Sequence, residues 1–233
     1  MGDSAGSRER VRRAAILALC AAAAGLILAA GLRIRYLLDS RSRSPSLAEG
    51  AAAVPSASPA PSSATPSPSD GRVLLGVPMF KQWDPAWGGD ALGGSGEQLR
   101  CVGCTVSCVA MVFRHYGIEA DPGRLNAWLK GNGGYTARGW LKWDKCVEYS
   151  GGRAALEYIG EPDAARMGRA FEAGRPAIVK VLLDGGVQHW VLVVGREGSD
   201  WLVNDPLNLS FEPVRLSDYR SGALALRIFR KAG

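Results

Sequence analysis

An α+β fold is predicted by the order of patterns along residues 72–233: helical patterns first, then a run of short strand patterns. Two observations carry this. Residues 104–116, 121–129 and 139–149 read as helices. After residue 153 the chain alternates turn signals with apolar runs at 154–159, 177–183, 187–194, 201–204, 210–214 and 223–229, with a single helix at 162–173 between the first two. The expectation is an N-terminal helical subdomain packed on a C-terminal antiparallel sheet.

Each element has its own justification. VLLGVPMF, residues 73–80, reads as a strand with a proline near its exit, and residues 81–98 as a glycine-rich loop. From Cys104 to Tyr116 the chain is almost wholly apolar, and Gly117 ends it. Asp121-Pro122 has the form of an N-cap followed by proline at the first helical position. QHWVLVV and WLVND flank a turn-like REGSD and predict a hairpin.

The first 71 residues differ in kind. Residues 1–13 form a basic tail with Arg8, Arg10, Arg12 and Arg13, and residues 14–32 are uninterrupted apolar and small. Nineteen helical residues span about 28 Å, one hydrocarbon core, so this stretch is expected to be a transmembrane signal-anchor. A cleaved signal peptide ending near Ala29-Ala30-Gly31 is the rival, but the apolar run is long for one and Arg33 follows at once. Leu19 is too large to precede a lipid-bearing Cys20. Residues 33–71 form a linker rich in Ala, Pro and Ser that buries too little apolar surface to offset its ordering entropy. The expected localisation is a single-pass membrane protein with residues 72–233 outside the cytoplasm, or a secreted domain after cleavage.

The net charge of +6 divides evenly between the two parts, and the basic residues after position 71 are scattered. That excludes a nucleic-acid-binding patch. The unevenly spaced cysteines do not read as a disulfide framework, and no cofactor or metal is called for.

Chemistry concentrates in QLRCVGCTVSCVAMVFRHYG, residues 98–117. Cys104 opens the apolar helix, where unpaired backbone N–H groups and the helix dipole favour a thiolate. Gln98 stands six residues before it, as an oxyanion donor would. A thiol nucleophile needs an imidazole. His115 is eleven residues along the same helix, roughly 16 Å away, and is excluded, so His189 is the candidate base. With a five-residue loop at 195–199, Val193 faces Trp201, Val191 faces Val203, and His189 faces Asp205, which then orients the imidazole.

The order Gln98, Cys104, His189, Asp205 is that of papain-like enzymes. GCTVSCVAMVFRHYG resembles the G-C-G-P-T-S-x-A-M-V-x-x-Y-G signature of cysteine-peptidase family thirty-nine, which includes the bacteriocin-processing double-glycine leader peptidases. VPMFKQWDPAW resembles that family's leading segment, LNAWLKGNGGYTARGWLKW its middle, and HWVLVVG with VNDP its His and Asp motifs. The resemblance implies a papain-like fold, Gln98 as oxyanion donor, Cys104 as nucleophile, His189 as general base and Asp205 as its orienter. The partner it implies is a peptide or protein substrate, with the membrane held through residues 14–32. Thr105-Val106 replaces the usual Gly-Pro.

Four other readings share these residues. Cys101-x-x-Cys104 with Cys108 and Cys146 is a weak match to a four-thiolate zinc site; as a redox pair, Cys101 would silence Cys104 by bonding it or, as expected here, bond Cys146 and leave Cys104 reactive. Trp83, Trp87, Trp128, Trp140 and Trp143 would line a cleft in a non-catalytic peptide- or glycan-binding module. An acyl or amide transferase would use the same nucleophile.

Overall fold

The computed structural model of the chain describes residues 71–233. The expected basic tail, the anchor at 14–32 and all but the last residue of the linker lie outside the described residues. Among the described residues no helix is long and apolar enough to cross a membrane.

The predicted α+β order is observed. Strand β1 (Arg72–Leu74) precedes helices α1 (Leu99–Val102), α2 (Cys104–His115), α3 (Pro122–Gly131) and α4 (Trp143–Tyr149). Then come β2 (Ala154–Gly160), α5 (Ala164–Glu172), β3 (Ala177–Leu182), β4 (Gln188–Glu197), β5 (Asp200–Asn204), β6 (Val214–Arg215), a 3-10 turn at Leu216–Asp218, and β7 (Ala225–Lys231). The strands form one antiparallel sheet in the order β2-β7-β3-β4-β5-β6. Strand β1 pairs with the far end of β4, opposite Gly195–Glu197.

Period-two alternation divides this sheet between two cores. Ile178, Leu192, Val194 and Phe229 pack with α2, α3 and α4, whereas Val179, Val181, Val191, Val193, Val203 and Ile228 pack with Met167 and Ala170 of α5. Helix α2 is buried on every side from Val106 to Phe113, which is why its sequence shows an apolar run rather than a stripe. Each such Val, Met or Phe contributes about 1.5–3 kcal/mol through burial. The Phe113 ring meets Phe229 edge-on and stacks on Tyr149, at centroid distances of 5.5 and 6.0 Å. The Asp121 carboxylate caps α3 by accepting from the Arg124 N–H at 2.8 Å, as Asp-Pro predicts.

Four expectations need correction. The strand at 73–80 shrinks to β1, because Gly76 takes φ +65° and Pro78 lacks a donor. The third helix starts at Trp143 rather than 139, because Gly139 at φ +80° closes a turn that pairs Tyr135 with Leu141. The strand at 210–214 is only Val214–Arg215. Its first residues are held in side-chain turns, with Asn208 Oδ1 accepting from Ser210 N–H and Ser210 Oγ from Glu212 N–H.

The fourth correction is the β4–β5 register. The strands continue to Glu197 and Asp200, joined by a two-residue Gly198-Ser199 turn with Gly198 at φ +58°. Arg196 therefore faces Trp201, Val193 faces Val203, and Leu192 faces Asn204, with a bulge between Val193 and Gly195.

Candidate active site

Cys104 is the first residue of α2, behind an N-cap at Gly103, and its side chain is buried. Gly103 fits here for reasons of space. Its φ is an ordinary −82°, but a Cβ would stand 2.5 Å from the Leu99 carbonyl oxygen and 2.8 Å from Leu99 Cδ2. The break at Gly103 thus separates one-turn α1 from α2 and leaves Cys104 on a fresh helix start.

His189, near the beginning of β4, is also buried, close enough to Cys104 that each group shifts the titration of the other. Its Nε2 lies 2.7 Å from Asp205 Oδ1, so Nδ1 is the nitrogen left for sulfur. The two residues are brought together as expected, but by a different pairing. Continuing the observed register past Asn204 sets Asp205 opposite Val191, two residues from His189 on the same face. Diagonal neighbours of this kind are within reach of long side chains.

The Asp205 carboxylate accepts on both oxygens. Oδ1 also accepts from Leu207 N–H at 2.8 Å, and Oδ2 accepts from the Tyr219 hydroxyl at 2.6 Å. Burial acts to raise the Asp205 carboxyl, but His189, Tyr219 and the Leu207 N–H outweigh it and hold it at about 2. For His189, burial acts to lower the imidazolium, and the bonds and charges of Asp205 and Cys104 raise it to about 10. Burial acts to raise Cys104, yet His189, then the Trp190 N–H and the Thr105 hydroxyl, bring it below the ordinary thiol value. All three directions favour one species, a thiolate beside an imidazolium beside a carboxylate. Such a group can attack an electrophilic carbonyl and return a proton to a leaving amine.

Gln98 is not part of this hydrogen-bonded chain. It is exposed at the N-cap of α1, where its side chain makes no capping bond. A second glutamine, Gln82, is buried against α1, giving one Nε2 hydrogen to Arg100 O at 2.9 Å and its backbone N–H to Pro206 O at 3.0 Å. Its Oε1 is buried without a partner.

Lys81, next to Gln82, is also buried. Its ammonium donates to Asp205 O at 2.9 Å and to Ser210 O at 2.5 Å, bracketing the loop that follows β5. Burial lowers it to about 8, against the opposing pull of Asp205. Trp83 Nε1 adds a bond to Leu207 O at 3.2 Å. Sequence reasoning missed Lys81, Gln82 and Tyr219. The first two lie in a stretch whose glycines and prolines read as loop, and Tyr219 lies in a turn fourteen residues past Asp205 with no periodic signal. The buried pairing of a lysine with backbone carbonyls has no one-dimensional trace.

The other candidates fall elsewhere. His115 ends α2 and donates from Nε2 to Gly174 O at 2.9 Å, far from Cys104 along the helix, as its spacing requires. Cys108 is buried, its thiol donating to Trp190 O at 3.4 Å, and burial with the Cys104 and Asp205 charges raises it well above the ordinary value. The Cys101–Cys146 disulfide is absent. Cys146 is a buried free thiol on α4 and Cys101 is exposed on α1. Of the five tryptophans, Trp140 alone is largely exposed, while Trp87, Trp128 and Trp143 pack against the helical core.

No curated protein matches the chain. A crystal structure of a candidate C39-like peptidase from Bacillus anthracis is similar with a TM-score of 0.46 and 16% identity, covering 70% of this chain and 100% of that one. The model of the Peptidase_C39 like family matches residues 74–221, which include Gln82, Gln98, Cys104, His189, Asp205 and Tyr219. A match over more than half of the chain identifies it as a member of that papain-like family of C39-like peptidases.

Proposed function

We propose that the chain is a cysteine peptidase or amidase that uses Cys104, His189 and Asp205, held outside the cytoplasm by a membrane anchor at residues 14–32. The observation that carries the reading is the buried His189–Asp205 hydrogen bond of 2.7 Å beside the buried Cys104, three residues that lie 85 and 16 positions apart in sequence. A buried acidic thiol, a raised imidazolium and a depressed carboxyl form a set that packing alone does not require.

In this reading His189 Nδ1 holds the proton taken from Cys104, and the thiolate attacks an amide carbonyl. The oxyanion is met by the Cys104 backbone N–H, which α2 leaves unbonded at its first residue. A glutamine side chain supplies a second donor. Gln98 has the sequence spacing for that role, and Gln82 has the burial and an uncommitted Nε2 hydrogen. His189 then protonates the leaving amine, the C–N bond breaks, and water, deprotonated by His189, releases the acyl group from sulfur. Asp205 keeps Nε2–H engaged so that Nδ1 faces the thiol throughout.

The test is labelling of the full chain by a thiol-directed activity probe, with a peptide-library cleavage profile. Labelling and cleavage should vanish in Cys104→Ala and fall at least 10²-fold in His189→Ala. Unchanged cleavage in Cys104→Ala rejects the assignment.

A further inference from the structure

Arg227 is a half-buried cation without a carboxylate. It lies on β7, beyond the residues matched by the family. Its guanidinium sits against two indoles, 5.4 Å from the Trp143 ring centre and 5.3 Å from that of Trp190. The two rings meet edge to face at 5.6 Å. Nη1 donates to the carbonyls of Gly160 and Leu226 at 3.2 and 2.8 Å, and Nε is buried with no partner. Among the described residues its nearest carboxylate influence is the exposed Glu161, which makes no ion pair with it. The other guanidinium similarly half-buried against the sheet, Arg175, is by contrast paired with Glu157 at 2.6 Å.

This cation is close to the chemistry. Trp190 follows His189 directly, and its carbonyl accepts from the Cys108 thiol at 3.4 Å, one turn along α2 from Cys104. Trp190 therefore meets the helix that carries Cys104 through its backbone and the guanidinium through its ring. Two partly exposed indoles beside an uncompensated guanidinium give an apolar wall and a charge. With Nη1 on two carbonyls and Nε buried, Nη2 is the end left to give a carboxylate a charge-assisted bond.

We propose that Arg227, framed by Trp143 and Trp190, is the specificity-determining residue of a substrate subsite that takes a carboxylate-bearing residue of the peptide. This rests on the peptidase reading, and it names the class of substrate that the reading leaves open: acidic peptides. The carboxylate belongs to an Asp or Glu side chain or to the end of the peptide chain.

The test uses the full chain and a positional-scanning library of quenched peptides, each made as C-terminal amide and as free acid. Wild type should prefer Glu or Asp over Gln or Asn at one position near the cleaved bond, by at least about tenfold in kcat/KM. Preference in the amidated set assigns a side-chain carboxylate, and preference confined to the free acids assigns a chain end. Arg227→Gln should abolish the preference, Arg227→Glu should turn it towards Lys or Arg, and Arg227→Lys should keep part of it. These are ratios within one preparation, so a partly unfolded variant does not distort them. A second arm measures binding of matched Glu and Gln peptides to Cys104→Ala by calorimetry, with and without Arg227→Gln. Acid-selective binding that needs Arg227, without cleavage by wild type, upholds the subsite and rejects the peptidase reading. No acid preference in either arm, or a preference that survives Arg227→Gln, overturns the proposal.

Discussion

The Tyr219 hydroxyl donates to Asp205 Oδ2 at 2.6 Å, on the carboxylate oxygen that His189 does not use. The bond ties the turn after β6 to the residue that holds the imidazole. Burial, then the neighbouring Asp205 charge, pushes Tyr219 far above the ordinary phenol value, so it is a permanent donor. Tyr219→Phe removes that donor and leaves Oδ2 buried and unmet, at a cost of about 1.5–3 kcal/mol. The sign with pH follows from Asp205. Its carboxyl is depressed from 3.8 to about 2, so the contribution is complete above about pH 4 and is lost as pH falls towards 2. Denaturant unfolding of wild type and Tyr219→Phe should differ at neutral pH and converge across that window. A difference independent of pH would show that the ring, not the bond, is what matters.

The Cys104–His189 pair sets a wide activity window. The thiol lies below its ordinary value and His189 at about 10, so the thiolate–imidazolium form is populated between the two. The profile of kcat/KM should be a bell whose alkaline limb falls near pH 10 and whose acid limb lies below the ordinary thiol range. Asp205→Asn removes the charge that raises the imidazolium, so the alkaline limb should move down towards the ordinary histidine range. Stability follows the same linkage. The His189 contribution is fully present below its unfolded pKa of about 6.5 and is lost as pH rises through about 10. An alkaline limb that stays in place in Asp205→Asn would separate Asp205 from the imidazole.

The meeting of His189 and Asp205 was legible in the sequence, but the register behind it was not. REGSD reads naturally as a five-residue loop, whereas the chain turns on Gly198-Ser199 alone and gains a bulge between Val193 and Gly195. Side chains alternate faces, so one residue of slip reverses every one of them. Near the turn the pairing is Arg196 with Trp201, and carried on unchanged it would set Asp205 opposite Leu192, on the wrong face for His189. The bulge moves Asp205 opposite Val191 and restores the face. A bulge is one extra residue fixed by both strands and by β1 against Gly195, so one strand's sequence does not announce it. Cys104 at a helix start and the exclusion of His115 were legible because both follow from helix geometry alone. Lys81 and Gln82 were not, since their partners, Asp205, Ser210, Arg100 and Pro206, are set by tertiary packing.

The two glutamines make opposite predictions. If burial beside α1 decides the oxyanion donor, Gln82→Ala should lower kcat by about 10²–10³, while Gln98→Ala changes it by less than about threefold. We expect that outcome, because an exposed side chain contributes little beyond what water supplies. Steady-state kinetics of the two variants on one peptide decides it, and the reverse result returns the role to Gln98. Thermal unfolding of Gln82→Ala separates a lost donor from a lost contact with Arg100 O.

Gly103 supplies the sharpest steric test. An alanine methyl there would stand 2.5 Å from Leu99 O and 2.8 Å from Leu99 Cδ2, and the first of these is backbone that cannot rotate away. The φ of −82° suits any residue, so conformational freedom is not what the position demands. Gly103→Ala must push α1 away from α2, breaking the Gly103 N–H bond to Leu99 O of 2.7 Å. Overpacking of this kind costs about 1–3 kcal/mol. Because the shift falls between Arg100, which Gln82 holds, and Cys104, activity should fall much further than stability, by about 10² in kcat for a displacement near 1 Å. Denaturant midpoints and single-turnover rates on the same preparation give both quantities. A variant that loses stability but keeps its rate would show that α1 moves independently of the Cys104 helix start.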